Sequence, residues 1–163
     1  MKSTLAIFGW ILFGLLMGVG LMRFVSTQND LTELTEQNAR PERTADGRIA
    51  LYFNADDRAH VSAEMLGFLQ GLQAISGAVA AEDREAIRAA ADALRRGDGT
   101  GQGVQQKAPE GFRTIGRSLR GDFGAIADMA ETAEMTDILE ALAGAESKCM
   151  ACHGTFKAVE VPE

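Results

Sequence analysis

The chain has 163 residues, enough for one modest domain and an appendage. Hydrophobic residues make up 46% and charged residues 24%, and Ala, Leu, Glu, Arg and Met are plentiful while Tyr and Trp occur once each, a balance that favours helix over sheet. The net charge of −7 excludes a nucleic-acid-binding face, which needs a basic stripe, and suits salt-sensitive docking of a basic partner.

Residues 4–22 (TLAIFGWILFGLLMGVGLM) carry no charge, with Lys2 before them and Arg23 directly after. This run is long enough to cross a bilayer as a helix. A signal peptide is the competing reading, but its apolar core is shorter and ends in a small-x-small site. Gly18 and Gly20 make a poor site of that kind, so the anchor is favoured. Either reading exports the rest of the chain. Gly14 and Gly18 form a Gly-x-x-x-Gly pair that would let another helix approach, although glycine is common in such spans. The expected organisation is an anchor over 1–25, a polar tether over 26–53 containing Pro41 and Gly47, and a helical domain over 54–163.

Val61, Met65, Phe68, Leu69, Leu72, Ile75 and Val79 recur at helical spacing and predict a helix over 56–80. Acidic residues at 82, 83 and 85 and arginines at 95 and 96 bracket a second helix over 82–96, with Ile87, Ala90, Ala91 and Leu94 inward. Residues 97–108, glycine-rich at their start, read as a loop. Pro109 suits a first helical position, and Phe112, Ile115, Leu119, Phe123 and Ile126 give a third helix over 109–131. Thr136 or Asp137 is the expected cap of a fourth, which carries Ile138, Leu139, Leu142 and Ala145 inward and continues to about Lys157. No strand pattern is evident. The predicted class is all-α, an antiparallel four-helix bundle with an N-terminal transmembrane helix. Gly67, Gly71, Gly77 and Gly144 fall inside these helices, each at a cost of about 1 kcal/mol relative to alanine. A bulky group pressed against the backbone, or close helix packing, would account for them.

The only two cysteines stand in Cys149-Met150-Ala151-Cys152-His153. C-x-x-C-H is the haem-attachment signal. Positions i and i+3 share one helix face, so both thiols can add to the two vinyl groups of one porphyrin, and the following histidine turns toward the iron. A redox dithiol expects alternating strands and helices, and zinc expects four ligands, for which only the distant His60 could complete the set.

A C-terminal C-x-x-C-H on the last of four helices resembles the cytochrome c′ family. Phe156 and Lys157 come after it where that family has an aromatic and a basic residue, and Gly111-Phe112, Leu119, Phe123 and Ile126 resemble its third helix. The resemblance covers about 56–157; the anchor and tether depart from it. It implies one covalent haem c on Cys149 and Cys152, with His153 as proximal iron ligand and exported to the periplasm, here on a single-pass bacterial inner-membrane anchor. It also implies a first helix facing the distal side. Met65 there would make a six-coordinate electron carrier, an aliphatic residue a five-coordinate protein binding nitric oxide or carbon monoxide. His60 is the rival ligand, and the two lie about 140° apart on the helix, so both cannot face the iron. Arg113, Arg117 and Arg120 form a stripe that could meet haem propionates, with Arg113 and Arg117 as the named candidates. The expected function is single-electron transfer in a respiratory or photosynthetic chain, not enzymatic catalysis. The expected partners are redox proteins or a membrane complex, the bilayer itself and a second copy of the chain.

Overall fold

The structure, a computed structural model, describes residues 42–97 and 102–160, together with residues 32, 35, 36, 38 and 39. The predicted anchor over 4–22 lies outside the described residues. Among the described residues no helix is long and apolar enough to cross a membrane.

The chain is mostly helical, as its periodicity implies. Helix α1 (Ala55–Ala80) begins at Asn54, whose side chain accepts a hydrogen bond from the Asp57 N–H at 2.8 Å, with Asp56 and Asp57 in the first turn facing the positive end of the dipole. It ends in a three-residue turn in which Glu82 takes a φ of 54° and the Asp83 N–H returns to the Ala78 carbonyl. Asp83 then caps α2 (Arg84–Arg96) through the Ala86 N–H, so this helix starts two residues later than its acidic run suggested. Gly97 closes α2 with a φ of 60°, a conformation L side chains rarely adopt. Part of the predicted loop is a short helix, α3 (Gln102–Lys107). Its Lys107 reaches Asp57 of α1 at 2.6 Å, and both side chains are almost fully buried. Such a pair tolerates burial only because each charge answers the other.

Pro109 is the N-cap of α4 (Glu110–Met129) rather than its first residue. The last helix, α5 (Met135–Thr155), starts at Glu134, which makes no side-chain cap, so Thr136 and Asp137 lie in its first turn. α5 ends at Thr155, two residues short of the predicted end, because the chain turns into a strand. Strand β2 (Phe156–Glu160) pairs in parallel with β1 (Ile49–Phe53), in the register Ile49↔Phe156 to Phe53↔Glu160. Two expectations are corrected here: strands exist, and residues 49–53 are not tether. Asn38, itself buried, donates to the Tyr52 carbonyl and accepts from its N–H, acting as a third strand would along β1.

Each of α1, α4 and α5 packs on a neighbour in the ring α1–α2–α4–α5, but α1 and α5 approach each other far less extensively than the other pairs. The main core holds Ile75, Ile87, Phe123, Ile126 and Ile138, all fully buried, and each contributes roughly 1.5–3 kcal/mol. A second, smaller core gathers Leu51, Phe53, Val104 and Phe156 under the sheet. Edge-to-face contacts from Phe112 to Phe53 and to Phe156 tie α4 to both strands.

Candidate functional site

Between the two cores lies a cleft of about 380 Å³, within the roughly 300–1,000 Å³ range of small-molecule pockets. Its walls come from both cores. Phe68, Leu72, Leu119 and Cys149 belong to the main one, while Leu51, Phe53, Val61, Phe112, Ile115, Cys152 and Phe156 belong to the smaller. The cysteine motif therefore straddles the gap, one thiol against each core. His153 borders the same cleft.

The cleft explains an irregularity in α1. Ile75 and Val79 at the end of its apolar stripe are buried, but Val61, Met65, Phe68 and Leu72 are only partly so, and Leu69 is 64% exposed. All five under-buried residues line the cleft. An apolar stripe left open on one side has room for a flat, largely apolar group. On α5, Leu139 departs from its predicted inward position and is exposed.

Burial pushes the Cys149 thiol up, with Glu146 adding to the shift, and burial with the neighbouring Cys149 does the same for Cys152. The two cysteines form no disulfide. A redox dithiol needs the opposite, a lowered pKa that provides thiolate at neutral pH. Among the described residues no three His, Cys, Asp or Glu side chains gather closely enough to share a bare metal ion, so His60 does not complete a zinc site. A porphyrin would ask for a different layout: its thiol partners would lie at the ring edge, and of the C-x-x-C-H residues only the histidine would meet the iron.

Of the predicted site residues, the structure brings Cys149, Cys152, His153 and Met65 to one cleft and leaves His60 off its lining. Arg113 and Arg117 are not brought there. Both pair with Glu110 at the start of α4, and Arg117, foremost, holds the Glu110 carboxyl down at about 2. The cations that border the cleft are Arg120 and Lys148. Arg120 pairs with Glu64 and lies over the Phe68 ring, 5.7 Å from its centroid. Lys148 meets Asp122 at 2.5 Å and donates to Ser118 Oγ at 2.6 Å. Lys148 escaped the sequence reading; its position one residue before the first cysteine was the available signal. A neighbouring groove of about 430 Å³ opens between α1 and α2, and Glu64, Phe68 and Arg120 form the wall it shares with the cleft.

Compared with known proteins, the chain matches no protein-family model, no curated protein and no solved structure.

Proposed function

We propose that the chain is a membrane-anchored monohaem c-type cytochrome, an antiparallel four-helix bundle carrying electrons singly on the periplasmic side of a bacterial inner membrane. The observation that carries this reading is the straddling motif: Cys149 and Cys152, in C-x-x-C-H spacing, stand against separate cores across an apolar cleft. Cys149 and Cys152 would hold the group by thioethers, His153 would be the proximal iron ligand and Met65 the distal one. Arg120 and Lys148, rather than Arg113 and Arg117, are the cations available to its propionates. Bound haem supplies a one-electron ferric/ferrous couple. The chain's own contribution would be to exclude water with Leu51, Phe53, Phe68, Phe112 and Phe156, and to hold the iron between the His153 imidazole and the Met65 thioether, a pairing that would raise the potential. The 1–25 anchor would keep the carrier near its donor and acceptor, so tight binding is unnecessary. Family membership in the cytochrome c′ group is part of this proposal.

The visible spectrum of the ferrous protein, with and without carbon monoxide, tests the reading. A low-spin spectrum that the gas leaves unchanged is the expected result. A spectrum that shifts with the gas would replace the carrier by a five-coordinate, gas-binding protein.

A further inference from the structure

The last turn of α5 contains Cys152 and His153, and a helix end leaves carbonyls without intrahelical partners. The Cys152 carbonyl is met by the Phe156 N–H. The His153 carbonyl is met from the opposite end of the domain: Arg48 Nη1 donates to it at 3.2 Å across 105 residues of sequence. We propose that Arg48 is a positioning residue for His153, capping the haem-bearing helix and fixing the orientation of its imidazole. The proposal rests on the haem reading of the cleft.

Three observations support it. Arg48 directly precedes β1, and the register Ile49↔Phe156 places it beside the junction of α5 and β2. Its guanidinium is itself held. Nε and Nη2 donate to Asp46 Oδ2 at 3.2 and 2.7 Å, and that carboxylate also takes Lys157 Nζ at 3.2 Å, one residue into β2 past Phe156. Thr44 Oγ1 donates to Asp46 Oδ1 at 2.5 Å, and the turn closes through Gly47, whose φ is 87°. Finally, a cation at a helix C-terminus is favoured by the dipole. Only an arginine can grip one carboxylate along one edge while donating to a carbonyl from another nitrogen. The segment 44–48, expected to be tether, thus acts as a clamp on the end of the haem helix.

The test uses the full-length holoprotein matured with haem, examined in its five-coordinate ferrous form. That form is the wild type if the sixth position is open, or the Met65→Ala background if it is closed. The readout is the iron–histidine stretching band in resonance Raman spectra. Arg48→Ala is expected to broaden the band and move it to lower frequency, and Arg48→Lys to recover part of the shift. Arg58→Ala removes an ion pair between α1 and the end of β2, Arg58 to Glu160 at 2.8 Å, that does not touch His153, and should leave the band in place. If Arg48→Ala does not accumulate, Asp46→Asn removes the anchor of the guanidinium and should shift the band in the same direction. An unmoved band in Arg48→Ala (or in Asp46→Asn, where that variant stands in), or an equal shift in Arg58→Ala, overturns the proposal. Failure of the haem reading is separately visible, because the wild type would then carry no covalent haem.

Discussion

Met65 borders the cleft from α1 and His153 borders it from the end of α5. If the thioether of Met65 closes the sixth position, Met65→Ala should open it. The ferrous spectrum should become responsive to carbon monoxide and the reduction potential should fall, because a thioether opposite histidine raises it. An unchanged spectrum and potential would reduce Met65 to packing, a role methionine fills easily. That Met65 and not His60 borders the cleft was partly legible in the sequence, since 140° of helix separates them and Met65 shares the apolar stripe. The fate of the arginines was not. Arg113, Arg117 and Arg120 fall within one narrow arc of α4, and spacing alone treats them alike. Glu110, one and two turns earlier on the same helix, captures the first two. Glu64 of α1 holds the third at the cleft, and that depends on a tertiary contact. The Glu110 carboxyl is held below its ordinary 4.5, so what its pairs contribute is fully present above that pH and is lost only as pH falls toward about 2.

At the scale of elements, the glycines inside the helices separate into two kinds. A Cβ on Gly71 would collide with the Leu94 side chain of α2, whereas one on Gly144 would meet nothing within 4 Å. Gly71→Ala should therefore destabilise the protein by about 1–3 kcal/mol through overpacking. Gly144→Ala should stabilise it by about 0.4–1 kcal/mol by narrowing the unfolded ensemble. Chemical denaturation of the two variants checks both signs. Close helix packing thus accounts for Gly71 and does not account for Gly144. The long helices were readable because their periods are local. The sheet was not, because each strand is only five residues long and its partner lies 107 positions away in register. Ile49-Ala50-Leu51-Tyr52-Phe53 is a continuous apolar run of the kind buried strands show, but it comes after a polar stretch and no nearby partner identifies it. Helix α3 was hidden by glycines on either side of its start and is held in place by the Lys107–Asp57 pair, which no local pattern announces.

At the scale of the whole molecule, the two larger apolar cores among the described residues both line the cleft, and α1 and α5 approach each other far less extensively than the other helix pairs of the ring. Four attachment or ligand candidates face that gap, from Met65 near the middle of α1 to His153 in the last turn of α5. One flat group spanning the cleft would bury the exposed half of the α1 stripe and join the cores into one. Under the proposed function, the net charge of −7 would suit docking to a basic redox partner. The proposed function depends on Cys149 and Cys152 being bonded to a single porphyrin. The most direct test is the intact mass of the denatured, solvent-extracted protein, produced in a host with an active c-type maturation system, beside its Cys149→Ser/Cys152→Ser variant. The account predicts a wild-type chain heavier by one haem and a variant at its polypeptide mass. A wild-type chain at bare polypeptide mass would contradict it.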